Sequence, residues 1–331
     1  MLDILAPIQS EMQSVERRLV DLHGSSNAFL VELNTHLFGA GGKRLRPAAF
    51  LLGCRFLGHS NSDLTDLACA FEYIHAASLL HDDVIDDAAT RRNHATVNAR
   101  WGDTVAILLG DRNYALACRV FVRSKNLELI DTIARCIQEM SESEIIQLNT
   151  LWNRHISLEQ YEAIARGKTA VLFEACTLAP ALLAKASPHV CEEMGRYGHS
   201  LGMAFQIVDD CLDLVGDSSV VGKPLLADLV EGKVTPPLIL GMEGVSPNAC
   251  RLRDSVAAVC DSRRATPAQL AEIQGLVQRT GGLQGAMALA AQYTATARAS
   301  LDAAAAAHQT VCREALEALS RVVAYLADRT F

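Results

Sequence analysis

Several things are scarce in this 331-residue chain, and each scarcity excludes something. Aromatic residues make up only 5%, and β-branched residues do not dominate, which disfavours a fold built from strands. No segment alternates apolar and polar residues for long enough to read as a strand. Proline is limited to 9 residues, so long helices are possible. Basic residues are outnumbered, 30 against 38 acidic, for a net charge of -8, which argues against a broad nucleic-acid surface. No apolar run reaches the length of a membrane span; the candidates at 169–184 and 198–208 are short or carry Glu174. The start, Met1-Leu2-Asp3, lacks the basic segment and apolar core of a signal peptide, so a cytoplasmic location is expected. The ten cysteines form no CxxC pair and no Cys/His spacing of zinc type; they read as small core residues in a reducing compartment. A Gly-x-x-x-x-Gly-Lys-Ser/Thr loop is missing, which excludes an ordinary P-loop nucleotide hydrolase. No Ser-His or Cys-His unit stands out as a nucleophile.

Abundant alanine and leucine at helical spacing predict an all-α protein, organised as one domain over 1–331. Helices are expected over 2–22, 27–38, 48–57, 63–87, 95–122 with a break at Gly102, 127–148, 158–184 and 188–214. A loop rich in glycine, 215–233, follows, and then helices over 237–243, 247–260, 267–278, 282–306 and 311–328. Thr266 and Pro267 make a cap and first position for the helix at 267.

The most informative run is His81-Asp82-Asp83-Val84-Ile85-Asp86-Asp87, at the end of a strongly apolar helix. Asp82 and Asp86 lie four apart and share a helix face, where like charges repel. Carboxylates at a helix C-terminus also oppose its dipole. A hard cation such as Mg²⁺ relieves both penalties. The pattern recurs as Asp209-Asp210-Cys211-Leu212-Asp213, again after an apolar stretch. Acidic pairs on solvated helices are common, but two copies at the ends of apolar helices point to metal. The cations are few and lie beside glycines: Gly41-Gly42-Lys43-Arg44-Leu45-Arg46, Arg91-Arg92, Gly167-Lys168-Thr169, Gly222-Lys223 and Gly232-Lys233. Such groups suit phosphate oxygens, so acidic and basic clusters together imply a polyphosphate held partly through metal and partly directly. His75, seven residues before Asp82, points the same way along the helix. His81 has only its adjacency to the run, which fits a hydrogen bond as well as a ligand.

The ordered motifs from Gly41-Gly42-Lys43-Arg44-Leu45-Arg46-Pro47 through Gly110-Asp111, Lys168-Thr169-Ala170 and Phe205-Gln206 to Lys233 resemble the trans-isoprenyl diphosphate synthase, or polyprenyl synthase, family. The resemblance implies a single large bundle of long helices around a central cavity, and usually a homodimer. It implies Mg²⁺ bound by Asp82, Asp83 and Asp86 from one wall and by Asp209, Asp210 and Asp213 from the other. Lys43, Arg46, His75 and Arg92 would hold the diphosphate of isopentenyl diphosphate. Arg91, Lys168, Thr169, Gln206, Lys223 and Lys233 would contact an allylic diphosphate. Asp82, Asp83, Asp86, Lys168, Asp209 and Asp210 are then the catalytic set. The implied reaction is head-to-tail condensation, with the positive groups stabilising the departing diphosphate.

In this family the residues just before the first aspartate run form the cavity floor. Ala77 and Ser78 are small here, which implies a product longer than fifteen carbons, and Phe71, eleven residues before Asp82, is the next candidate floor or else ordinary core. The sequence departs from the family pattern at Asn93-His94, Arg112-Asn113 and Leu226. Two other readings share the fold: a class I terpene cyclase, and a non-catalytic subunit of a heteromeric synthase. Intact Lys43, Arg46 and a second full aspartate run weigh against the cyclase, and the completeness of both runs weighs against the non-catalytic subunit.

Overall fold

A computed structural model describes residues 2–21, 27–39, 41–60, 63–91, 94–215, 226–309 and 311–327. The chain packs as two compact units, Met1–Ile137 with Leu172–Gly195 and Ser300–Val322, and Gln138–Val171 with Arg196–Ala299 and Val323–Phe331. Helix dominates both. The only strands among the described residues are β1 (Thr90–Arg91) and β2 (His94–Ala95), an antiparallel hairpin too short to show any alternation in sequence.

The first unit opens with α1 (Leu2–Leu5) and a 3₁₀ turn at Ala6–Ile8, which contains Pro7 and divides what the sequence suggests is one helix; α2 (Gln9–Asp21) follows. Next come α3 (Ala28–Gly39), α4 (Leu45–Phe56), α5 (Leu64–Ile85), the hairpin, α6 (Val97–Trp101) and α7 (Asp103–Arg123). Helix α4 starts three residues before the expected 48, taking in Pro47. Proline is tolerated there because the first turn's N–H groups have no intrahelical partner. Gly102, at φ +89°, makes the expected break between α6 and α7. Helix α8 (Leu127–Thr150) begins in this unit, which also holds most of α10 (Val171–Leu183).

Helix α5 is apolar on most faces, so it sits in the core, packed on α7, α4 and α2. Phe71 is fully buried between Phe50 and Phe121, with ring centroids 5.3 and 5.0 Å away. Tyr73 donates to the Leu19 carbonyl at 2.7 Å, which ties α5 to α2 without leaving a buried hydroxyl unpaired. Gly53 of α4 lets Pro180 approach, since a Cβ there would lie 2.8 Å from the Pro180 ring.

The second unit takes the rest of α8, then α9 (Leu158–Ala165) and a π-helical turn at Arg166–Ala170, where an unbroken helix is expected. Helix α11 (Pro188–Val215) ends in this unit. The described part of the span read as a loop contains a short helix, α12 (Ala227–Val230), and after it come α13 (Pro236–Met242), α14 (Pro247–Ser262), α15 (Pro267–Thr280) and α16 (Gly282–Ala307). Helix α17 (Arg313–Ala327) closes the chain. The core here joins Tyr161, Ile164, Ile207, Leu229, Leu238, Val256 and Leu276. Ser157 with Gln160 and Thr266 with Gln269 form capping boxes that set the starts of α9 and α15.

Candidate active site

The first aspartate run occupies the last turn of α5. Asp86 is the C-terminal cap, and its N–H donates to the Asp82 carbonyl at 2.8 Å. Asp82 and Asp86 are half-buried on the phase expected from their spacing. Asp83, about 100° around the helix, points inward at 5% exposure and accepts from Arg91 Nε at 2.7 Å. The hairpin that carries Arg91 is tied back to the run. Asn98 Nδ2 donates to the Asp83 carbonyl at 3.1 Å, and Thr96 Oγ1 to the Ala88 carbonyl at 2.6 Å. Arg91, expected on an allylic diphosphate, is thus also the partner of a buried carboxylate.

His81 lies against α7. Its Nε2 is 3.2 Å from the Ile107 carbonyl and 3.5 Å from Asp111 Oδ1, and its ring fills the space that a Cβ on Gly110 would need. The absence of a side chain at 110 leaves room for that ring. Of the three cations at 43–46, Lys43 is exposed, whereas Arg44 turns inward. Arg44 takes a left-handed conformation, φ +46°, and bonds Glu16 at 2.8 Å, Glu72 at 2.9 Å and the Phe38 carbonyl at 3.0 Å. Burial works against its charge, but the hydrogen bond to Glu16 and the charge of Glu72 outweigh it and raise its pKa. Arg46 stacks over Phe173, 4.8 Å from the ring centre. A cavity of about 80 Å³ in this unit brings together Gly41, Arg44, Glu72, His75, Asp83 and Arg91.

In the second unit the π turn sets Lys168 and Thr169. Gly167 within it allows α8 to come close; a Cβ there would stand 2.6 Å from Ser143 Cβ. Such turns widen a helix locally and often mark functional sites. Thr169 Oγ1 donates to Gln206 Oε1 at 2.6 Å, and Gln206 Nε2 donates to Asp210 Oδ1 at 2.7 Å. The other oxygen of Asp210 accepts from the Tyr161 hydroxyl at 2.5 Å. Asp210 is therefore buried with both oxygens engaged, while Asp209 is exposed. Asp213 receives the backbone N–H groups of Ala227 and Asp228 at 3.1 and 3.2 Å, which anchors the start of α12.

Burial pushes the Asp210 carboxyl up to about 7, against the pull of its hydrogen bonds from Tyr161 and Gln206, and raises that of Asp228 as well. The site lysines have local partners: Lys168 meets Glu144 at 3.0 Å and Lys233 meets Glu231 at 2.7 Å. Gly232 precedes Lys233 at φ +89°, and a Cβ on it would come 2.6 Å from the Trp152 ring, while the Trp152 N–H bonds the Gly232 carbonyl at 2.8 Å. Lys168, Gln206, Asp210, Asp228, Lys233 and Tyr161 line one cavity of about 100 Å³.

Arg92 and Lys223 lie outside the described residues. Tyr161, Glu144 and Asp228 are site neighbours that the motif reading missed; nothing in their local sequence signals a role. Among the described residues, no three His, Cys, Asp or Glu side chains converge into a ready-formed metal cage. The donor set still fits Mg²⁺, which is commonly held by one or two carboxylates together with substrate phosphates and water.

The profile of the polyprenyl synthetase family matches residues 27–273. The all-trans-nonaprenyl-diphosphate synthase (geranyl-diphosphate specific) of Rhodobacter capsulatus is 34% identical over 322 residues, 97% of this chain and 96% of that one. The octaprenyl diphosphate synthase of Escherichia coli is 33% identical over 73% of this chain and 75% of its own. Among solved structures, a polyprenyl synthase from Caulobacter crescentus complexed with calcium and isoprenyl diphosphate superposes with a TM-score of 0.88 at 33% identity, over 99% of this chain and 98% of that one.

Proposed function

Since the chain belongs to the polyprenyl synthetase family, we propose that it condenses isopentenyl diphosphate head to tail with an allylic diphosphate, in the presence of Mg²⁺, as a trans-polyprenyl diphosphate synthase. The observation that carries this reading is the pair of aspartate runs. Each closes a buried helix, and each has diphosphate-type cations in its own unit. The test is direct: purified protein with Mg²⁺, isopentenyl diphosphate and allylic primers of several lengths, products sized by chromatography. Consumption of isopentenyl diphosphate is expected; none with any primer removes the reading.

In our reading the whole chain works as one isoprenoid synthase domain. Asp82 and Asp86, with Asp209 and Asp213, hold Mg²⁺; Asp83 and Asp210 support them from beneath, through Arg91 and through Gln206. Bound Mg²⁺ supplies charge neutralisation for the leaving diphosphate. Lys168 and Lys233 exchange their glutamate partners for diphosphate oxygens, joined by Arg91, Thr169, Gln206 and Lys223. Lys43, Arg46, His75 and Arg92 grip the second diphosphate. The allylic cation survives because apolar side chains such as Leu151, Ile156 and Ile164 keep water out. The double bond of isopentenyl diphosphate attacks it, and the departed diphosphate takes the proton released.

The two relatives named above are a nonaprenyl and an octaprenyl diphosphate synthase, and we read the product here as medium- to long-chain, longer than fifteen carbons. We place its inner limit at Phe71, about 16 Å along α5 from Asp82 by helix rise. Its contacts with Phe50 and Phe121 make a stiff aromatic wall. Phe71→Ala should lengthen the main product by one or more isoprene units; an unchanged product distribution would assign Phe71 to ordinary core.

A homodimer completes the proposal. Leu108, Ala115 and Val122 recur every seven residues along α7 and are all exposed, Leu108 at 61% and Val122 at 56%. An apolar stripe of that period suits packing against a second copy. Leu108→Lys with Val122→Lys should shift the sedimentation coefficient to that of a monomer. We also favour a cytoplasmic location: six of the ten free cysteines are buried, and no described helix is long and apolar enough to cross a membrane.

A further inference from the structure

We propose that Tyr161 is a positioning residue for the allylic-diphosphate end of the site, acting through Asp210 on the amide of Gln206. Four side chains form one hydrogen-bonded series. Tyr161 donates to Asp210 at 2.5 Å, Gln206 donates to Asp210 at 2.7 Å, and Thr169 donates to Gln206 at 2.6 Å. Tyr161 is 7% exposed and Asp210 6%, so water does not compete for these bonds.

The series decides which way the Gln206 amide faces. Asp210 meets the nitrogen end at 2.7 Å and Thr169 the oxygen at 2.6 Å; an ionised carboxylate only accepts, which favours that orientation over the reverse. An amide nitrogen carries two N–H groups. One goes to Asp210, and the other has no partner among the described residues and serves the cavity shared with Lys168 and Lys233. Phosphate oxygens also only accept. The reversed amide would present its carbonyl to them and repel. Asp210 can hold the amide only if it is itself held, and its second oxygen is pinned by the Tyr161 hydroxyl of α9. The Tyr161 hydroxyl is taken up by Asp210, so it acts through the carboxylate. The hydroxyl fixes the carboxylate, the carboxylate fixes the amide, and the amide meets the diphosphate.

This inference rests on the polyprenyl synthase reading of the site. The test uses Tyr161→Phe, which removes one hydroxyl and keeps the ring. Calorimetric titration with geranyl diphosphate and Mg²⁺ should show binding weakened about tenfold, as expected for a compromised hydrogen bond to a charged ligand. KM for isopentenyl diphosphate should stay the same. In a Gln206→Ala background the same substitution should weaken binding no further. Thr169→Val, which unlatches the amide at its other end, carries the same expectation if Tyr161→Phe does not fold. Unchanged binding in Tyr161→Phe overturns the proposal, as do fully additive effects in the double variant. So does equal weakening toward both substrates with a lowered melting temperature, the signature of a packing role. If the unmodified protein neither binds geranyl diphosphate nor consumes isopentenyl diphosphate, the polyprenyl synthase reading itself falls, which is a different result from any of these.

Discussion

Asp82→Ala is expected to lower kcat/KM by about 10²–10³ while leaving the protein as stable as before, or slightly more so. The loss follows from removing a group that stabilises charge in the transition state. The unusual half is stability. Asp82 stands in the last turn of α5, where its charge opposes the helix dipole and repels Asp86 four residues on. Relief of those two terms is worth about 0.3–1 kcal/mol at a helix end. Steady-state kinetics and thermal melts on one preparation check both halves. An active variant would sink the catalytic assignment of Asp82. An inactive but destabilised one would mean that the carboxylate supports the fold.

Arg44 should behave in the opposite way. Arg44→Met is expected to destabilise the protein by about 3–5 kcal/mol, because it leaves Glu72 buried with its charge uncompensated. Glu72 is 6% exposed, and the Arg44 guanidinium meets it at 2.9 Å. The backbone at Arg44 is already left-handed, a conformation that only the surrounding bonds sustain. Arg44→Met combined with Glu72→Met should recover much of the loss, since an apolar pair of similar volume leaves no charge behind. Denaturant titration of the two variants reads the difference. If the double variant is no more stable than the single one, the cost lies in the backbone turn and not in the ion pair.

These two residues mark what sequence reading captures. Asp82 was legible because its oddity is local: an acidic residue at the wrong end of an apolar helix. Arg44 was not. Within Lys43-Arg44-Leu45-Arg46 all three cations look alike, and the inward turn of the middle one depends on glutamates 28 residues away on either side. The same limit hid Tyr161, whose partner Asp210 is 49 residues on. The helices were read well because their periodicity is intrinsic. The π turn at 166–170 was missed because five residues closing a turn leave no compositional trace, and the hairpin at 90–95 because two-residue strands have no period to detect. Lys168, Gln206 and Lys233 stand out by motif; that they share one cavity with Tyr161 only the tertiary packing reveals.

The His81 ring occupies the volume in which residue 110 would place a side chain, so two positions 29 apart draw on a single allotment of space. A residue larger than glycine at 110 and the histidine ring in its present position cannot both be accommodated, so the two sites should be found to vary together across species. Room is then one constraint on position 81. A histidine next to a metal-type motif can owe its place to neither a metal nor a proton.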